Sequence, residues 1–154
     1  MLFCGINPGL YSAATGFHFA RPGNRFWPAL HAAGFTPRRF HPSENQALLE
    51  LGYGLTNLVN RGTAAADELA PAELAEGAKR LAAKVRRYRP RAVAFVGLGA
   101  YRTAFGRPKA TLGLQPEPLE GVPLWVLPNP SPINASYPKE DLARRFTELR
   151  TALG

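Results

Sequence analysis

The chain has 154 residues, 45% of them apolar and 19% charged, the profile of one globular domain rather than of a disordered or fibrous chain. No apolar run approaches the roughly 20 residues of a membrane span, and no charged stretch before an apolar one marks a secretory leader. A net charge of +8 points to a polyanionic partner, nucleic acid first, while a single cysteine and three histidines without ligand spacing exclude a four-cysteine metal or iron–sulfur site.

The first strand is expected over Leu2–Ile6, ended by Pro8-Gly9, with Cys4 inside it as a small buried hydrophobe. Met1 falls directly on this strand, so a short upstream segment is expected to be missing or dispensable. Tyr11 to Gly23 reads as a polar, glycine-rich loop. A helix is predicted from Asn24 to Ala33, stopped by Gly34. Ser43-Glu44-Asn45-Gln46 reads as a capping box opening a helix through Leu49, and a second strand follows near Tyr53–Leu58. Pro71 stands like a first helical residue, with Glu73 and Glu76 in the early turns and the helix running to about Tyr88. At about 100° per residue, Lys79, Arg80, Lys84, Arg86 and Arg87 share one arc, and Leu74, Ala78, Leu81, Ala82 and Val85 share the opposite one. The third strand is Ala92–Val96, followed by a short helix around Ala100–Phe105. The fourth is Pro123–Leu127, ending in Pro128-Asn129-Pro130-Ser131. A last helix covers Lys139–Leu153, with Leu142, Phe146, Leu149 and Leu153 on one face. This alternation predicts a single α/β domain over 1–154 with a largely parallel sheet. Such sheets bind ligands outside the carboxyl ends of their strands, which places the loops bearing Asn7 and Asn129 together.

Familiar catalytic signatures are missing. Gly97-Leu98-Gly99-Ala100-Tyr101-Arg102 looks like half of a dinucleotide fingerprint, but Arg102 replaces the third glycine and no acid ends the next strand. No serine sits in a G-x-S-x-G elbow, and no Walker-type lysine motif occurs. Gly5-Ile6-Asn7-Pro8-Gly9 is different. Pro8 and Gly9 break the strand and let the backbone approach a ligand, and the Asn7 amide can both accept and donate. Alone, the segment reads first as a strand-ending Asx-turn.

The combination says more. Gly5-Ile6-Asn7-Pro8-Gly9 is followed by Ser12, by Thr15-Gly16-Phe17-His18-Phe19 and by Pro22-Gly23-Asn24-Arg25-Phe26-Trp27; Leu58-Val59-Asn60-Arg61 and Leu127-Pro128-Asn129-Pro130-Ser131 come later. Together these closely resemble the mismatch-specific uracil/thymine-DNA glycosylases of the uracil-DNA glycosylase superfamily, over almost the whole chain. The resemblance implies a three-layer α/β/α fold around a four-stranded parallel sheet. It implies monofunctional cleavage of the bond between base and deoxyribose, with no cofactor and no metal. The partner would be double-stranded DNA carrying uracil or a mismatched or damaged pyrimidine, engaged by a monomer in the cytoplasm, at the nucleoid in a bacterium. The base must leave the stack to be reached.

By the same resemblance Asn7 positions water and Phe19 stacks on the extruded base. Ile6, Gly9 and Ser12 line the pocket. Gly9 stands where the strictly uracil-specific branch carries a tyrosine that blocks a 5-methyl group, so thymine or modified pyrimidines are candidates. Asn129 opens the second motif, where an amide N–H can stabilise charge growing on the departing base. Ser131, Pro132, Ile133 and Asn134 match the DNA-contacting wedge, with Ile133 as its apolar tip. Pro132 replaces a glycine there and Ala135 an arginine, so contacts to an opposing guanine do not carry over residue by residue. Arg21 and Arg25 are candidate phosphate contacts. An amide cannot take a proton from water, whereas glycosidic hydrolysis through an oxocarbenium-like state is helped by a carboxylate. Asp67, after the second strand, is the candidate for that task; its other reading is an acid that stabilises the dipole of the next helix. Two further function classes stay open: a non-catalytic binder of uracil-containing or abasic DNA, and a small-molecule enzyme on a doubly wound sheet.

Overall fold

A computed structural model of the chain describes residues 1–132 and 137–154. Four strands run parallel at its centre: β1 (Leu2–Gly5), β2 (Gly54–Asn57), β3 (Val93–Val96) and β5 (Leu124–Leu127). A two-residue strand, β4 (Gly113–Leu114), pairs antiparallel with β5 at one edge, and the order is β2-β1-β3-β5-β4. The sheet therefore has five strands where four were expected. Two residues carry no periodicity that a sequence reading could use.

The helices are α1 (Leu10–Thr15), α2 (Phe26–Ala32), α3 (Asn45–Glu50), α4 (Pro71–Tyr88), α5 (Leu98–Ala104) and α6 (Lys139–Leu153). α4 and α6 match their expected bounds. α1 lies in a segment whose sequence predicts loop: it is six residues long, has Gly9 before it without a side-chain cap, and ends at Gly16 in the left-handed region. The capping box before α3 sits two residues earlier than expected. His41 Nδ1 accepts from the Ser43 N–H at 3.1 Å, and Glu44 Oε1 accepts from the His41 N–H at 2.9 Å.

Strand side chains alternate between two cores, as the period of a pleated strand requires. Phe3, Ala94, Val96 and Leu127 join Phe26, Leu30, Phe35, Leu142, Phe146 and Leu149 on the face of α2 and α6. Cys4, Val93, Phe95, Leu124 and Val126 join Leu74, Leu81, Val85 and Tyr101 on the face of α4 and α5. Phe3 centres the first core, edge-on to Phe26 at 5.4 Å and to Phe35 at 5.5 Å.

The chain moves from β1 to β2 on one side of it, then crosses to β3 on the other, so the topological switch point lies between β1 and β3. There the loops after the two strands touch. A Cβ on Gly97 would sit 2.8 Å from Ile6 Cδ1, and Gly97 has φ 128°. Both facts require glycine, which gives Gly97 a packing role without any dinucleotide.

Candidate active site

A broad open cleft of about 1600 Å³ lies at the carboxyl edge of the sheet, over this switch point. It brings together Ile6, Asn7, Gly9, Ser12 and Phe19 from the first loop region, Asp67 from the second, and Asn129 and Ser131 from the end of β5. Arg21 is also on its wall. Ile133 and Asn134 fall outside the described residues. Pro132 packs toward the Arg21–Asn24 turn, its Cβ 3.9 Å from where a Gly23 side chain would begin.

Asn7 is held in one orientation. Its Nδ2 donates to the Arg61 carbonyl at 2.8 Å and to Thr63 Oγ1 at 2.8 Å, with a longer contact to the Pro8 carbonyl at 3.3 Å. A carbonyl can only accept. The buried Thr63 hydroxyl gives its one proton to the Ala65 carbonyl at 2.8 Å, so toward Asn7 it too must accept. Both contacts demand the amide nitrogen, and the network fixes the flip. Oδ1 is thereby the end that can accept a hydrogen bond from water in the cleft. Arg61 is itself anchored by two bonds to the Glu73 carboxylate, at 3.0 and 2.9 Å, and Glu73 is pulled below its usual range chiefly by that guanidinium.

Phe19 stacks on Phe26 at 4.0 Å with 20° between the rings, which ties it to the core aromatics. Its backbone has φ 51°, a left-handed conformation costly for a bulky residue. Its ring passes so close over β1 that a Cβ on Gly5 would lie 3.1 Å from Phe19 Cζ and 2.8 Å from Asn57 Oδ1. Gly5 is the clearance that lets the ring and the Asn57 amide share one end of the cleft. Ser12 is buried and accepts the Ala20 N–H at 3.0 Å, fixing the segment that carries Phe19. Nothing stands within 4 Å of where a Gly9 side chain would begin, so that wall is open.

Asn129 Oδ1 accepts the Ser131 N–H at 3.0 Å, which makes the other end of the amide the donor. Arg25 does not line the cleft. Its guanidinium donates to the carbonyls of Pro130 (3.4 Å), Ser131 (3.1 Å) and Tyr137, and its own N–H donates to Pro130 at 3.0 Å. It is tied to the backbone on both sides of residues 132–136.

Asp67 sits exposed on a single 3₁₀ turn, Ala66–Glu68. The capping work around it is done by its neighbours: Glu68 accepts the Ala65 N–H at 2.6 Å, and Glu73 accepts the Ala70 N–H at 3.2 Å at the start of α4. The Asp67 carboxylate forms neither a hydrogen bond nor an ion pair with the described residues.

Sequence reasoning passed over Thr63, Asn57 and His18. Asn57 ends β2 in register with Gly5, so an amide at the end of the strand next to the Asn7 loop was the available signal. Nothing in the sequence marks Thr63, whose partner is 56 residues away. His18 lines the cleft, and burial, then the charge of Lys84, hold its imidazole below the ordinary value. No residue of the basic arc of α4 lines the cleft, although Lys84, whose Nζ donates to Thr56 Oγ1 at 2.7 Å, lies near enough to act on His18. Lys79 pairs with Glu76 and Arg86 with Glu120, and the end of the helix lies at the amino edge of the sheet, where Arg89 bonds the Glu120 carbonyl. Among the described residues no group of three His, Cys, Asp or Glu side chains is placed to hold a metal.

A family model described as the uracil DNA glycosylase superfamily matches residues 1–153.

Proposed function

Because the chain belongs to the uracil DNA glycosylase superfamily, and so is a hydrolytic DNA glycosylase acting on uracil, we propose that it is of the mismatch-specific, monofunctional type, with a pocket that also admits thymine or modified pyrimidines. The observation that carries the reading is the Asn7 amide, locked by Arg61 and Thr63 with its oxygen as acceptor, in one cleft with Phe19 and Asn129.

The reaction runs on an extruded base. Phe19, backed by Phe26, is the platform for its ring. Asn57 offers one donor and one acceptor, the complement of a pyrimidine imide edge. As the bond between C1′ and N1 lengthens, negative charge grows on the base and positive charge on the sugar. The Asn129 donor stabilises the first. Asn7 Oδ1 holds the water that attacks C1′, and Asp67 balances the oxocarbenium charge and takes the proton the amide cannot. The products are the free base and an abasic site. The open wall at Gly9 supports the broader substrate range.

The test is a duplex carrying uracil opposite guanine, incubated with the protein and then treated with alkali. Strand breakage at the uracil position is expected, and breakage at a T·G pair, slower, supports the broader pocket. Release of no base from U, T or alkylated pyrimidines in any pairing overturns the reading. Equal rates on U·G, U·A and single-stranded uracil would leave a glycosylase without mismatch preference.

A further inference from the structure

Beside the cleft lies a second hollow of about 370 Å³, sharing Tyr11, Phe19 and Arg21 with it. Its floor includes Trp27 and Phe40, both buried, and the Trp27 indole N–H is engaged by the His18 carbonyl at 3.1 Å. The Phe40 ring carries the Arg38 guanidinium over one face, 4.8 Å from its centroid. The rim of the hollow carries Arg21 and Arg39, both exposed, and no acidic residue lines it. Neither arginine has a hydrogen bond or ion pair with the described residues, although the adjacent Arg38 is paired with Glu44. Tyr11 is 49% exposed on the wall between the two hollows.

Two unneutralised guanidiniums above an aromatic floor complement a nucleotide: the planar forks take a phosphate, and the rings take a base. Because the hollow shares a wall with the cleft, the nucleotide next to the one in the cleft is within reach of it. We propose that it binds the nucleotide adjoining the extruded one on the same strand, with its phosphate between Arg21 and Arg39 and its base against Tyr11. This rests on the glycosylase reading above. It adds a site that recognises the neighbour rather than the target.

The probe is a duplex with a tetrahydrofuran abasic analogue, so that no target base contributes, titrated at several KCl concentrations. Arg39→Ala is expected to lower the slope of log K against log salt by about 0.9, the signature of one lost phosphate contact. Affinity at low salt should fall about tenfold. Tyr11→Ala should weaken binding several-fold with the slope unchanged, because stacking releases no counterion. Arg87→Ala, on α4 far from both hollows, should change neither. Both tested side chains are exposed, and thermal melts confirm that the variants fold. In a second arm, uracil is released from single-stranded oligonucleotides trimmed from either side. Loss of the adjoining nucleotide on one side should lower kcat/KM of the unmodified protein about tenfold and leave Arg39→Ala unaffected. A wild-type salt slope in Arg39→Ala, or trimming that acts equally on both proteins, overturns the proposal. If the unmodified protein releases no base from any substrate, it is the glycosylase reading that fails; if it does and Arg39→Ala keeps the slope, only the subsite fails.

Discussion

An amide is neither an acid nor a base at neutral pH, so what Asn7 contributes depends on which way it points. The Arg61 carbonyl and Thr63 make that choice together. Thr63→Val keeps the shape and removes one of the two acceptors, loosening the hold on the amide. Single-turnover cleavage should drop about 10-fold or more, with Thr63→Ser restoring most of it and DNA binding little changed; equal rates for Val and Ser would show that the hydroxyl merely packs. Asp67 is separable by the same method. Asp67→Ala should slow the chemical step by about 10²-fold or more, and unchanged cleavage would remove it from the mechanism. His18 has a depressed pKa, so the unfolded chain takes up a proton near 6.5 that the folded chain resists. Stability should therefore fall as pH drops below about 6.5 and level off once the folded form titrates. A His18→Gln variant should show a flatter melting temperature between about pH 7 and pH 5.

At the level of elements, the sequence was most legible where periodicity is long. α4 and α6 have their full lengths in the spacing of Leu74, Leu81 and Val85 and of Leu142, Phe146 and Leu149. The four parallel strands were placed within one or two residues. α1 and β4 were not, because six and two residues repeat nothing. Topology alone brings the Asn-Pro loops after β1 and β5 together, whereas the hydrogen bonds that hold them join residues no local pattern links. Arg25 illustrates this: its position beside the cleft suggested phosphate, but its guanidinium faces three carbonyls. It is a positioning residue for the Asn129 loop. Arg25→Lys, a single point donor, should lower kcat while leaving the salt slope of DNA binding unchanged. A slope reduced by about 0.9 would return it to the phosphate contacts.

Taken whole, the molecule is asymmetric. Beside the cleft stand Arg21 and Arg39, unpaired among the described residues, while Lys79 and Arg86 in the basic arc of α4 pair with Glu76 and Glu120. A net charge of +8 favours encounter with DNA from any side. Stability rests on two cores divided by one sheet. Phe146→Ala, which empties a fully buried position in the aromatic core, should cost roughly 3–5 kcal/mol in urea unfolding. Cys4 lies in β1, an inner strand, with its thiol pushed up to about 12 by burial. It should resist thiol reagents until the whole sheet opens, so its labelling rate measures global unfolding.

The hydrogen bonds that shape the cleft join residues far apart along the chain: 56 positions from Asn7 to Thr63, and 112 from Arg25 to Tyr137. Asn7 leaves the ribosome long before Tyr137, and the clamp on the opposite loop cannot close until Tyr137 is made. Contacts this distant form late. During refolding from urea, recovery of base release should lag behind the burial of Trp27 followed by its fluorescence. A partly made chain would hold the first motif yet lack the machinery to open a glycosidic bond.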